Sequence, residues 1–384
     1  MNYKEELICK ILPFWLDNAI DYENGGIFTC LDRQGNIYGR EKSVWFQGRA
    51  LWVLAKAYNT IEKNEKYLKA AKCIFDFIPK CTDTDGRMYF TVTAEGKGLQ
   101  KRRYYFSETF AAIGCAEYYK ATGDKAVLEA AERYFQVAYE CFTDVRKNMP
   151  KTNPENCNMK ALSPVMIMLS TAQTMRSISN EERYARIAEE CLKKILNDGF
   201  LTEKALMESV SADGEFVDTP SGRVVNPGHS MEAAWFLMME GIITQNHEAI
   251  DAGKKIIDIT WPLGWDEKHG GLIAFTDVCG KPPVQLEWDM KLWWPQCEAI
   301  IALSMAYMLF KEDKYKELLK KTEEYCSIYF LNQNSGEWYG YLHYDNTVSN
   351  TLMGNIFKGP FHIPRMYMIM AIMEEEGNVD RYLS

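Results

Sequence analysis

Phe106-Ser-Glu-Thr-Phe-Ala-Ala-Ile-Gly-Cys-Ala-Glu-Tyr-Tyr-Lys-Ala-Thr122 is followed, after Gly123, by a second run of helical periodicity over 124–143. Together they predict two helices joined by almost no connector. The same grammar extends in both directions. Upstream, helical patterns cover 2–20, 43–58 and 65–77; downstream they cover 161–177, 180–197, 229–245, 247–260, 287–310, 314–329 and 364–375. In the first of these, Leu7, Ile11, Phe14 and Trp15 share one side. β-like pieces are short and lie between helices: a hairpin of Ile27-Phe-Thr-Cys-Leu31 and Asn36-Ile-Tyr38, a stretch over 87–104, and Trp338-Tyr-Gly-Tyr-Leu342. Nothing alternates strand with helix as a parallel sheet requires. There is no crisp sequence repeat, but a period of roughly 50–60 residues fits two helices plus connectors. About twelve helices in pairs can close into a double-layered ring whose inner layer frames a central cavity. The expected class is all-α with short β-hairpins in the connecting loops. No Pro/Ser-rich linker cuts the chain, so 1–384 reads as a single domain.

The 384 residues are 47% hydrophobic, ample for a large core. With 22 tyrosines, 18 phenylalanines and 10 tryptophans, there is an aromatic surplus of the kind that lines sugar sites as well as cores. A net charge of −9 argues against nucleic acid or an anionic membrane as the main partner. The 11 cysteines are scattered, odd in number and without Cys-x-x-Cys, which favours reduced thiols in the cytosol over disulfides or a zinc site. The N-terminal stretch shows no signal peptide, and no apolar run is long enough to span a bilayer.

Four polar clusters stand at helix starts or inside apolar helices. In Phe357-Lys-Gly-Pro-Phe-His362-Ile-Pro-Arg365, two prolines stiffen the backbone around a histidine, and Arg365 follows three residues later. In Asn226-Pro-Gly-His229-Ser-Met-Glu232-Ala-Ala-Trp235, a turn leads into a helix; Glu232 lies at i+3 from His229 and is expected to orient it. In Gln285-Leu-Glu-Trp-Asp-Met-Lys-Leu-Trp293-Trp294-Pro-Gln-Cys-Glu298, Pro295 interrupts a helical pattern, while Trp294 and Glu298 are four apart, a stacking and hydrogen-bonding surface for a sugar. In Trp45-Phe-Gln-Gly-Arg49-Ala-Leu-Trp52, an arginine sits in an apolar helix and must either pair with an acid or point into a polar cavity. Taken singly, each cluster fits a satisfied buried polar group. Taken together, they suit a ring with a polar centre. No metal-ligand spacing is present. The basic, glycine-bearing stretch Ala94-Glu-Gly-Lys-Gly-Leu-Gln-Lys-Arg-Arg103 is neither a P-loop nor a dinucleotide fingerprint; it reads as a solvated hairpin turn, with a phosphate-bearing ligand as the alternative.

These clusters, with Phe14-Trp-Leu, Asn24-Gly-Gly-Ile-Phe-Thr-Cys-Leu31, Val44-Trp-Phe-Gln-Gly-Arg49, Phe106-Ser-Glu-Thr-Phe110 and Gly336-Glu-Trp-Tyr-Gly-Tyr-Leu342, make the sequence resemble the N-acylglucosamine 2-epimerases, known in animals as renin-binding proteins, over nearly the whole chain. The resemblance implies an (α/α)6 barrel that interconverts N-acetylglucosamine and N-acetylmannosamine. It places the catalytic histidines at His229 and His362 and the sugar-contacting groups at Arg49, Arg365 and Glu298, with Glu232 beside them. Trp45, Trp235 and Trp294 are candidate cavity walls. It also implies a homodimer, no cofactor required for the chemistry, no metal, and ATP as an activator that is not consumed; 96–103 is the one candidate for the nucleotide. Amino-sugar and sialic acid metabolism would be the setting. Cellobiose 2-epimerases and mannose isomerases share the barrel and the paired histidines, and a non-catalytic carbohydrate- or protein-binding barrel is the remaining alternative.

Overall fold

The structure is a computed structural model and describes residues 2–144, 147, 158–332 and 335–383. The first helix, α1, runs through Tyr3–Glu6, a wider π stretch Leu7–Ile11, and Leu12–Asn18. The wide turn, closed by the Leu12 N–H on the Leu7 carbonyl, comes just before Pro13, which has no N–H to continue the ladder. There follow α2 (Val44–Thr60), α3 (Glu65–Phe77), α4 (Phe106–Thr122), α5 (Lys125–Thr143), α6 (Leu162–Arg176), α7 (Glu182–Asn197), α8 (Pro227–Thr244), α9 (His247–Gly264), α10 (Trp293–Phe310), α11 (Asp313–Tyr329) and α12 (His362–Glu376).

The even-numbered helices pack each on the next, and α12 closes onto α2. Each odd-numbered helix lies outside, α1 against α12 and the others against the even-numbered helix before them. This is an (α/α)6 barrel. Burial follows the layers. Outer α7 buries only Tyr184, Ile187, Ala188, Cys191, Leu192 and Ile195, one face at helical spacing. Inner α10 buries every residue from Pro295 to Ala306. The short strands precede inner helices: Lys42–Ser43 pairs with Thr91–Val92, Met159–Ala161 with Ser209–Ser211, Val224–Val225 with Thr276–Asp277, and Lys291–Leu292 with Tyr341–Leu342. Among the described residues no helix is long and apolar enough to cross a membrane. The described cysteines are free thiols, and Cys157 lies outside the described residues.

Several boundaries differ from the sequence expectation. The helix expected over 287–310 starts at Trp293, because Trp288 and Met290 are held in turns by the carbonyls of Gln285 and Glu287. Pro295 therefore sits in a first turn, where its missing N–H costs nothing, and does not interrupt the helix. α12 begins two residues before Pro364, so His362 is its first residue. α9 continues past 260, through Pro262, to Gly264. The hairpin over 27–38 is reduced to one bridge, Leu31 to Ile37.

A repeat is present after all, in the connectors. Asp21 and Asp266 each donate a backbone N–H at 2.9 Å to the second glycine of Gly25-Gly26 and Gly270-Gly271, and all four glycines have φ between 81° and 91°. Lys42 Nζ reaches Asp21 Oδ2 at 2.7 Å, and Lys291 Nζ reaches Asp266 Oδ2 at 2.7 Å. Gln47 and Gln296 then clamp both the N–H and the carbonyl of Ile27 and Leu272. The device ties an outer-to-inner connector to the start of α2 and, two inner helices away round the ring, of α10. Both lysines are fully buried. Lys42→Met is therefore expected to leave Asp21 buried without its cation and to cost about 3–5 kcal/mol, read as a fall in the denaturant midpoint.

Candidate active site

The inner helices present their N-terminal turns to one mouth of the barrel. There a cavity of 550 Å³ is lined by Trp45 and Arg49 of α2, His229 and Glu232 of α8, Trp293 and Trp294 of α10, and His362 of α12. A second lobe of 330 Å³ shares Trp45, Arg49, His229 and Glu232 and extends between α4, α6 and α8. Convergent helix N-termini carry partial positive charge, which suits a centre where negative charge develops.

His229 is fixed by its backbone first. Asn226 caps α8 by accepting the His229 N–H at 3.1 Å, and Pro227 opens the helix. The His229 Nδ1 then lies 3.0 Å from both carboxylate oxygens of Glu208. His362 is held in the same way by a different acid: its Nδ1 is 2.7 Å from Glu298 Oε1. With both Nδ1 atoms engaged, each imidazole has its Nε2 left for chemistry. Both rings lie close to one indole. Trp294 lies 5.3 Å from the His229 ring and 5.7 Å from the His362 ring, centroid to centroid. Trp294 in turn rests on Gly228, where a Cβ would come within 2.5 Å of the indole.

Beneath the histidines is a buried cluster. Arg365, 4% exposed, donates from Nη2 to Glu232 at 2.6 Å and to Glu298 at 2.7 Å. Glu298, fully buried, also accepts from Trp235 Nε1 at 2.8 Å. Arg49 behaves differently. Its guanidinium lies 3.9 Å from the Phe110 ring centroid and 4.6 Å from that of Phe361, and it makes no ion pair among the described residues. Its charge lines the cavity, and Glu232 and Glu298 act on it through space and not by direct contact.

The two imidazoles differ in charge preference. Burial alone would depress His229, but Glu208, then Glu232 and Glu298, outweigh it and lift the group to about 8. His362 is pushed well below the usual histidine range by burial and by the Arg365 and Arg49 cations. Near neutral pH the pair carries one positive charge, on His229.

Two expectations about roles need correction. Glu232 does not orient His229; Glu208 does, while Glu232 is turned to Arg365. No spacing rule could have found Glu208, because it reaches the site only through the ladder between Met159–Ala161 and Ser209–Ser211. Trp235 lines neither lobe of the site: it lies below it, facing a 510 Å³ cavity towards the other end of the barrel that shares Ile113, Ser170, Phe361 and Arg365 with the second lobe. Trp45 and Trp294 do line the site. The donor atoms of Glu232, Glu298 and His362 lie within 4.8 Å of one another, close enough for a metal, but the Arg365 guanidinium already bonds to both carboxylates there. In the stretch 94–103, Gly98–Gln100 is a strand; Arg102 pairs with Asp83 and Asp85, and Lys101 with Asp83, as a hairpin turn would have it.

The family model for N-acylglucosamine 2-epimerase (GlcNAc 2-epimerase) matches residues 26–360. The chain belongs to the N-acylglucosamine 2-epimerase family. Within that family it is 33% identical to the N-acylglucosamine 2-epimerase of Bos taurus over 381 residues, covering 96% of this chain and 89% of the other. It is 26% identical to the cellobiose 2-epimerase of Ruminococcus albus over 399 residues, covering 95% and 96%. A cellobiose 2-epimerase structure from Bacillus thermoamylovorans superposes with a TM-score of 0.83 at 20% identity, covering 95% of this chain and 97% of that one. Membership of the N-acylglucosamine 2-epimerase family makes this protein an enzyme, a sugar 2-epimerase.

Proposed function

We propose that the enzyme interconverts N-acetyl-D-glucosamine and N-acetyl-D-mannosamine by proton removal and return at C2 of the open-chain sugar. One observation carries the reading: two imidazoles from separate inner helices, each fixed through Nδ1 by its own carboxylate, line one cavity at 5.3 and 5.7 Å from a shared indole. The proton on C2 is acidic because C1 is an aldehyde. Neutral His362 takes that proton through Nε2 from one face. Protonated His229 returns one to the other face, and the reverse reaction exchanges the roles. The charge that develops on O1 falls to Arg49, the cation with no carboxylate of its own. Arg365 is occupied with Glu232 and Glu298 and so positions His362. Within this proposal the protein is a cytoplasmic homodimer, and ATP, where it acts, activates without being consumed.

The reading is tested by incubating the full chain in deuterium oxide with N-acetylmannosamine, N-acetylglucosamine, mannose and cellobiose, each with and without ATP. Interconversion of the two N-acetyl sugars with deuterium at C2 is expected. Turnover confined to mannose or cellobiose, or label entering only at C1, overturns it.

The pH dependence follows from the two charge preferences. Either direction needs the pair to carry one positive charge, so kcat/KM should hold from below pH 6.5 and decline as pH rises through about 8. Glu208→Gln keeps an acceptor near Nδ1 and removes the anion that supports the imidazolium. Its alkaline limb should move to lower pH, and its kcat should fall about tenfold or more.

A further inference from the structure

The hairpin of Thr91–Val92 and Gly98–Gln100 runs out into three consecutive cations. Lys101 pairs with Asp83 at 3.3 Å, and Arg102 with Asp83 at 3.1 Å and Asp85 at 2.6 Å. Arg103 makes no ion pair among the described residues; its guanidinium lies 5.4 Å from the Phe90 ring centroid and 5.2 Å from that of Phe357, and it lines both lobes of the cavity. Aromatic rings hold a guanidinium in place and leave its N–H groups free to donate. The backbone beside it is in an uncommon conformation: Tyr104 has φ 55°, left-handed for a residue with a side chain. Its neighbours hold that turn. Arg87 Nη2 donates to the Tyr104 carbonyl at 2.8 Å, and Arg87 Nε donates to the buried Glu108 at 2.6 Å. The Tyr104 ring stacks on Phe106 at 5.0 Å. Paired and stacked groups thus fix one strained turn, and the residue in front of it is a cation on the cavity wall.

Arg49 and Arg103 stand at different depths. Arg49 is half-buried in α2, whereas Arg103 is exposed and also borders a shallow groove outside the mouth with Gln100 and Phe357. In the proposed reaction C1 and C2 lie at Arg49 and the imidazoles, so the remaining carbons of the open chain extend towards the rim. We propose that Arg103 is a substrate-holding residue, which donates hydrogen bonds to the hydroxyl oxygens at the C4–C6 end of the sugar and so keeps C2 against the imidazoles. A guanidinium has five N–H donors in a fixed fork and no acceptor, which suits adjacent hydroxyl oxygens. The inference rests on the proposed reaction and adds to it a grip on the unreactive end. An open-chain sugar has many rotamers, and a contact far from the reacting carbon reduces their number. Losing that contact therefore costs turnover as well as affinity.

The test measures kcat and KM for C2 epimerisation of N-acetylmannosamine and of its 4-deoxy and 6-deoxy analogues by the full chain, by Arg103→Ala and by Arg103→Met. The methionine chain still packs between Phe90 and Phe357 but has no donor, so it separates bracing from hydrogen bonding. Thermal unfolding checks that each variant folds. With the parent sugar, kcat/KM should fall about tenfold or more in both variants, with kcat and KM both affected. The alkaline limb of the pH profile should stay near 8, because it is set by His229 and its carboxylates. At least one deoxy analogue should lose about tenfold in the unaltered enzyme and much less in the variants, the non-additivity of a contact already broken. A folded variant within about threefold of the unaltered enzyme overturns the proposal. So does a deoxy penalty retained in full by both variants, which would make Arg103 a brace between two rings and nothing more. In both cases epimerisation of N-acetylmannosamine continues and the reaction itself stands. Turnover of mannose or cellobiose without any N-acyl sugar overturns the reaction and this assignment together.

Discussion

His362→Ala is expected to lower kcat for C2 epimerisation by about 10³-fold, within the range of 10²–10⁴ typical of a lost general acid or base. The fold should survive, because Glu298 keeps two partners, Arg365 and the Trp235 N–H. Unfolding by heat should accordingly change little while deuterium incorporation at C2 nearly stops. His229→Ala is expected to behave alike: it frees Glu208, whose partly exposed carboxylate tolerates the loss of its partner. Near-wild-type exchange in either folded variant would remove the two-base mechanism.

Arg365→Met should have the largest combined effect. It takes one cation from two carboxylates, one of them fully buried, and replaces it with an uncharged chain. Breaking such a buried pair from one side costs about 3–5 kcal/mol. The chemistry suffers for a separate reason. Arg365 is the nearest of the cations holding His362 neutral, and without it Glu298 favours the imidazolium. The base of the proposed reaction is then occupied by a proton, so kcat should drop about 10²-fold and the acid limb of the pH profile should move upward. Denaturant unfolding and a pH profile read the two consequences independently. Stability within about 1 kcal/mol of wild type, with an unmoved acid limb, would contradict both.

The sequence disclosed the helix pairs because outer helices such as α7 carry a one-faced apolar stripe and inner ones such as α10 are apolar all round. It disclosed His229 and His362 because each sits at a helix start marked by proline. It hid Glu208, since a contact made through a β ladder leaves no trace in local spacing. It also hid the true start of α10: Trp288 and Met290 are apolar enough to extend a helical pattern, yet their N–H groups close turns. The connector repeat was present in the letters, as Asp21 with Gly25-Gly26, Lys42 and Gln47 against Asp266 with Gly270-Gly271, Lys291 and Gln296. It escaped notice because its parts are spread over 27 positions in one copy and 31 in the other, and only the buried lysine–aspartate contacts gather them.

The unequal affinity of the two imidazoles for hydrogen ions has a kinetic corollary. In the proposed two-base reaction, an epimerisation that starts with the ion on His229 ends with it on His362, the less hospitable ring. The empty protein must reset itself before it can serve the same epimer again, whereas the opposite epimer finds it already primed. At high flux the catalyst thus keeps a brief record of what it last released, and a labelled pool at chemical equilibrium should be driven out of isotopic balance when a large excess of unlabelled partner sugar is added.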